Sequence, residues 1–235
     1  MRWLAGAFAD LSDLVLPAGC AGCAVSGERL RHGVCERCAG ALTALRPTPA
    51  EPSPSPPGLP PTVALGPYQG VLREVLLGYK ERGRHGLAAP LGGLLAEVVA
   101  AAVGPPRPVL LVPVPSTARA ARERHGDHLR RLARHAGRRL RAAGWPVSVA
   151  QPVRALPRAD SAGLTAAERL AVAQRGFRVR GGAAARAARA GALIVVLDDI
   201  VTTGATLAAV GAALDAAQLP VHAAAVLAAT QRRQR

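Results

Sequence analysis

Lysine is almost missing from this sequence. Lys80 is the only one, although the chain carries 30 basic residues against 15 acidic ones and a formal net charge of +15. The positive charge is therefore arginine, in a chain rich in Ala, Arg, Gly and Pro. Two readings compete: a nucleic-acid partner, or the residue bias that high-GC codon usage imposes. Aromatic residues make up only 3%, which argues against an extended platform for stacking bases. No uninterrupted apolar run approaches the roughly 18 residues of a membrane span, so membrane insertion is not expected. No G-x4-G-K-[ST] sequence is present, which excludes a P-loop, and no internal repeat is found.

What is present is enough apolar residue to build a core. Half of the 235 residues are hydrophobic, sufficient for one main α/β domain with a small accessory module. At the N-terminus, "LPAGC" ending at Cys20 is similar to a lipoprotein cleavage site, but Asp10 and Asp13 interrupt the signal core and Arg2 is its only positive flank. Leu4, Phe8, Leu11 and Val15 fall on one face of a helix. An amphipathic docking helix and a cytoplasmic protein are expected.

Four cysteines follow in the pattern Cys20-x2-Cys23-x11-Cys35-x2-Cys38. Two C-x2-C knuckles can converge tetrahedrally on zinc. Two disulfides or an iron–sulfur cluster are the alternatives; a reducing cytosol disfavours the first, and short paired knuckles favour zinc over the second. A site with four protein ligands is closed, hence structural. His32, between the knuckles, reads as a surface residue.

Next comes "RPTPAEPSPSPPGLPPT", a proline-rich stretch read as a stiff linker. It divides the chain into a helix and zinc module (1–45), a linker (46–62) and a main domain (63–235). Along that domain the patterns predict strands at "TVALGPY", "PVLLVPVP", "VSVAQPV", "ALIVVLDD" and "PVHAAAVLAAT". They predict helices at "GVLREVLLGYK", "GLAAPLGGLLAEVVAAAV", residues 118–143, "TAAERLAVAQ" and "GATLAAVGAALDAA". Thr165 and Glu168 are spaced as a capping box. Within 118–143, Leu129, Leu132, Ala133, Ala136 and Leu140 share one face, while Arg130, Arg134 and Arg138 form a ridge flanked by Arg131 and Arg141. Alternating strands and helices imply a mostly parallel sheet flanked by helices.

"VLDDIVTTGATL" carries the chemistry. An apolar strand ending in Asp198 and Asp199 places two carboxylates at the carboxyl end of a parallel strand, where open α/β sheets bind ligands. The loop with Thr202, Thr203, Gly204, Ala205 and Thr206 can surround a phosphate with N–H and hydroxyl groups, and the next helix aims its positive end at the same place. A Walker B strand would need the missing P-loop, and a phosphoacceptor domain usually opens with its acid pair. A diol and a phosphate at this separation describe ribose 5-phosphate.

The stretch "VVLDDIVTTGATL" closely resembles the phosphoribosyl-pyrophosphate motif of type I phosphoribosyltransferases. The resemblance implies that Asp198 and Asp199 bind the ribose hydroxyls and that Thr202 to Thr206 bind the 5-phosphate. More of the chain is similar to the ComF family of competence-associated, phosphoribosyltransferase-like proteins. That family begins with a four-cysteine zinc element and continues with a segment like "YQGVLREVLLGYKERGR". A "VPVP" strand with a basic segment, an "L-x4-R" helix, a "GF" strand and the phosphate motif follow. Here these stand at Tyr68 to Arg84, Val112 to Pro115, Leu164 to Arg169, and Gly176-Phe177. The chain departs from the family's "RGFNQ" with "RHGDH", Arg124 to His128, and has Ser161 and Val172 where glutamine and asparagine are usual.

The implied reaction replaces pyrophosphate at ribose C1 with a nucleophile, with magnesium neutralising the departing pyrophosphate. Candidate pyrophosphate donors are Ser116, Arg119, Arg122, Arg124 and Lys80, the last two at positions matching the family. His125 and His128 read as surface residues, and no general base is identified. Three functions stand as expectations. The first is a ComF-type protein binding phosphoribosyl pyrophosphate in natural transformation, with single-stranded DNA and competence proteins as partners. The second is a salvage phosphoribosyltransferase, and the third a non-enzymatic DNA-binding accessory.

Overall fold

A computed structural model describes residues 19–115, 127–156, 176–180 and 182–230. The segments expected as an N-terminal helix and as the "TAAERLAVAQ" helix with its capping box, together with Ser116 to His125, Ser161 and Val172, lie outside these residues. The described chain is a mixed α/β fold built on a six-stranded sheet in the order β1-β2-β8-β7-β3-β4. These strands are β1 (Thr48–Pro49), β2 (Thr62–Pro67), β3 (Val109–Pro113), β4 (Val147–Val149), β7 (Leu193–Val201) and β8 (Val221–Ala229). All neighbours run parallel except β1, which pairs antiparallel with β2. A separate antiparallel pair joins β5 (Val153–Ala155) to β6 (Phe177–Val179).

The helices are α1 (Glu36–Thr43), α2 (Gly70–Glu81), α3 (Ala88–Val103), α4 (His128–Ala142), α5 (Gly182–Arg189) and α6 (Ala205–Ala216). Helices α3 and α4 pack on each other and on the sheet, while α6 packs on β7, β8 and the β5–β6 pair. Successive residues Val195, Val196 and Leu197 of β7 are each 0% exposed. Consecutive strand residues point to opposite faces, so both faces of the sheet are covered. Burying each such side chain stabilises the fold by about 1.5–3 kcal/mol.

Several local expectations change. The stretch "VSVAQPV" divides into β4 and β5, because Pro152 has no N–H to continue the ladder. Of the helix expected over 118–143, residues 118–126 lie outside the described residues, and the described part is His128–Ala142. Asp127 is extended, with φ −78° and ψ 93°, and its carboxylate accepts the Arg130 N–H at 3.0 Å, capping the helix. Pro90 sits inside α3 without breaking it, since the first-turn N–H groups have no helical acceptor. Short α1, α5 and β1 had no periodic signal strong enough to announce them.

The apolar stretch His85–Val103, a 3-10 turn running into α3, is long and apolar enough by composition to cross a membrane. Its apolarity answers a different demand: α3 is covered by α4, β8 and β2. Gly92 lies at the seam, where a Cβ would collide with His135 and stand 3.1 Å from the Leu132 carbonyl oxygen. That close approach leaves no room for a side chain.

The proline-rich stretch does not hang free as a spacer. It supplies β1, buries Ala50, and lays Pro52, Leu59 and Pro60 along the outer face of α6, where a Cβ on Gly204 would meet Leu59 Cδ1 at 3.0 Å. The cysteine segment likewise shares one hydrophobic core with the sheet domain.

Candidate functional site

Strand β3 leads through α4 to its neighbour β4 on one side, and β7 leads through α6 to β8 on the other. Between β3 and β7 the connections diverge, and it is beyond the carboxyl ends of strands at such a point that open α/β sheets place a ligand crevice. Leu197 pairs with Pro113, the last residue of β3. Asp198 and Asp199 therefore stand at the mouth of that crevice.

The two acids face different surroundings. Asp199 is 5% exposed. Its Oδ2 accepts Lys80 Nζ at 2.9 Å and His128 Nε2 at 2.8 Å. Burial alone would push this carboxyl up, but the His128 hydrogen bond and the Lys80 charge hold it down at about 2. Asp198 is half-buried and accepts the Asp199 backbone N–H at 2.8 Å through Oδ1. Desolvation, reinforced by the adjacent Asp199 charge, pushes it up to about 8. One acid of the pair is held toward its ionised form and the other is pushed toward its neutral form.

Both donors come from helices whose apolar stripes aim them inward. On α2, Leu72, Val75, Leu76 and Tyr79 are buried, and Lys80 lies at the rim of that stripe. On α4, His128 continues the line of Leu132, Ala136 and Leu140 at intervals of one turn. His128 is buried at 8% exposure, which corrects the reading of it as a surface histidine. Its backbone carbonyl accepts the Tyr79 hydroxyl at 2.7 Å, and its Nδ1 has no partner among the described residues. Tyr79 was not singled out from the sequence.

Beyond β7, Thr202 and Thr203 are exposed, Gly204 is buried, and Ala205 and Thr206 are half-buried. Gly204 is the N-cap of α6 at φ +74° and ψ −2° and supplies no side-chain cap. The amides at the start of α6 open toward the loop. Asp198, Asp199, Lys80 and the loop thus belong to one end of the sheet; Arg124 lies outside the described residues.

A second cluster gathers Cys20, Cys23, Cys35 and Cys38, whose sulfurs all lie within 4.8 Å of one another. A tetrahedral zinc with Zn–S of about 2.3 Å sets sulfurs about 3.8 Å apart, and Cys23 and Cys35 Sγ are 3.8 Å apart. Burial alone would raise Cys20, but N–H groups led by that of Cys35 hold it down at about 6, while burial pushes Cys38 far above the thiol range. Four such sulfurs could hold a zinc ion. None of the four forms a disulfide.

Of the arginines on α4, Arg130, Arg134, Arg138, Arg139 and Arg141 are exposed, while Arg131 is half-buried and bonds His85 Nδ1 at 3.0 Å. Neither a protein-family model nor a curated protein matches the chain.

Proposed function

We propose that the chain is a phosphoribosyltransferase-like protein of the ComF type that binds phosphoribosyl pyrophosphate at the carboxyl end of β7. The observation that carries this reading is the convergence of three parts on the β3–β7 crevice. An acid pair suits a diol, a small hydroxyl-rich loop at the start of α6 suits a phosphate, and the chain's only lysine is brought to the acids from α2. Pyrophosphate would leave ribose C1 as the magnesium complex that accompanies the ligand. The C1–O bond breaks with its electron pair on pyrophosphate while a nitrogen nucleophile closes on C1, and the protein contributes positioning and charge. The four-cysteine cluster would hold a structural zinc apart from this chemistry.

The exposed arginine ridge of α4 favours a second reading, in which the same protein handles single-stranded DNA. One calorimetric experiment tests both. Wild type should bind phosphoribosyl pyrophosphate with magnesium, and the Asp198→Asn, Asp199→Asn double variant should bind at least about tenfold more weakly, since charge-assisted hydrogen bonds contribute about 1.5–3 kcal/mol each. Equal affinities would make the motif a remnant of fold. In a second arm, an Arg130, Arg134, Arg138→Gln variant should lose about two units of log–log salt slope for a single-stranded oligonucleotide, at about 0.7 per phosphate contact. An unchanged slope removes the ridge from DNA binding.

A further inference from the structure

The ribose-phosphate reading treats the two aspartates as equivalent, yet the chain does not present them equally. They are consecutive residues of β7, so their side chains leave opposite faces of the strand. Asp198 is half-buried, and only its Oδ1 is bonded, by the next residue's amide. Asp199 is 5% exposed, and one oxygen already accepts two donors, Lys80 Nζ and His128 Nε2. With Oδ2 committed to two donors and only 6% of its side chain exposed, Asp199 presents little surface to a sugar diol.

Lys80, by contrast, has donor capacity to spare. Lys80 carries three N–H donors, has Asp199 as its sole partner among the described residues, and keeps 17% of its side chain exposed. Because Asp199 can only accept, His128 Nε2 must be the protonated nitrogen facing it. The Tyr79 hydroxyl on the His128 carbonyl ties the adjoining turn of α2 to the first turn of α4. Asp199 is the point at which α2, α4 and β7 are joined.

We propose that the acid pair divides its work: Asp198 alone meets the ribose diol, and Asp199 is a positioning residue that touches no ligand and holds Lys80 toward the pyrophosphate. This rests on the ribose-phosphate reading of the site and deepens it. The lysine is the group that meets the ligand's second anion. The aspartate fixes where that charge stands, and His128 holds the aspartate from the other side.

The test compares two probes on the zinc-loaded full chain, ribose 5-phosphate and magnesium phosphoribosyl pyrophosphate. Only the second engages a pyrophosphate site, so the ratio of their affinities reads Lys80. Asp198→Asn should weaken both probes about tenfold. Asp199→Asn should leave ribose 5-phosphate within about twofold of wild type while weakening phosphoribosyl pyrophosphate about tenfold. Lys80→Met should reproduce that selective loss directly, even if Asp199→Asn fails to fold. A general structural defect would lower both affinities and leave the ratio unmoved. The inference is overturned if Asp199→Asn weakens ribose 5-phosphate as much as Asp198→Asn does, or if Lys80→Met leaves the ratio unchanged. Failure of wild type to bind either probe would instead remove the ribose-phosphate reading, and this inference with it.

Discussion

Lys80 and His128 are polar residues placed on otherwise apolar helix stripes, and both end on the same carboxylate oxygen. The arrangement favours the charged form of Asp199 and disfavours that of its neighbour. The consequence for stability has a definite sign. Asp198 is raised to about 8 in the folded chain, against roughly 3.9 for a free aspartate. Its contribution to stability is therefore fully present below about pH 4 and is lost as pH rises through about 8. Asp199, held at about 2, changes charge at lower pH and adds no slope above about pH 5. Wild type should lose melting temperature relative to Asp198→Asn as pH rises from 5 to 8, because the amide cannot ionise. Melting curves of the two proteins at pH 5, 6.5 and 8 check this; a constant difference between them would show that Asp198 is not buried as a neutral acid.

At the level of elements, α6 is held between the sheet and the proline-rich segment. Leu207, Val210 and Leu214 are buried, but so are Ala208 and Gly211, and Gly211 lies beneath Gly58 and Pro60. Gly204 answers two demands at once. Its φ of +74° favours glycine, and a Cβ would stand 3.0 Å from Leu59 Cδ1 and 3.3 Å from Pro52 Cγ. Gly204→Ala should therefore destabilise by about 1–2 kcal/mol from backbone conformation alone, plus the crowding. A Leu59→Ala background removes the tighter of these contacts and leaves Pro52, so the cost of Gly204→Ala should shrink by about 0.5 kcal/mol or more. Denaturant unfolding of the four proteins measures this; identical costs in both backgrounds would mean that Leu59 does not seat on the loop.

For the whole molecule, the cysteine cluster is continuous with the main core. A Cβ on Gly22 would meet Cys38 Sγ at 2.8 Å and Val71 Cγ1 of α2 at 2.9 Å, and the Arg84 side chain donates to the Gly19 carbonyl at 2.7 Å. Helix α2 thus has the cysteine knuckle at its back and Lys80 at its far end. Purified protein is expected to contain about one zinc per chain. Chelation or Cys35→Ser should lower the melting temperature of the entire chain in a single transition, with the small module and the sheet domain unfolding together. A main transition unchanged by metal loss would mean that the two parts are independent after all.

Much of this architecture was legible in the sequence because it follows from local periodicity and spacing. β-branched runs marked β3 and β7, the Leu129–Leu140 stripe marked the buried face of α4, and paired C-x2-C knuckles marked four sulfurs that do converge. The acid pair and the loop after it were legible for the same reason, since they are contiguous. Other features depended on residues brought together from distant parts of the chain. His128 reads as one of several basic residues at a helix start until β7 places Asp199 2.8 Å from it. The proline-rich stretch reads as a spacer until α6 offers a face of Ala and Gly small enough to receive Leu59 and Pro60. Sequence order determined which residues could enter the crevice, because pattern and chain direction act over a few residues. Which carboxylate would be enclosed, and by which partners, was decided only by packing three separate elements against one another.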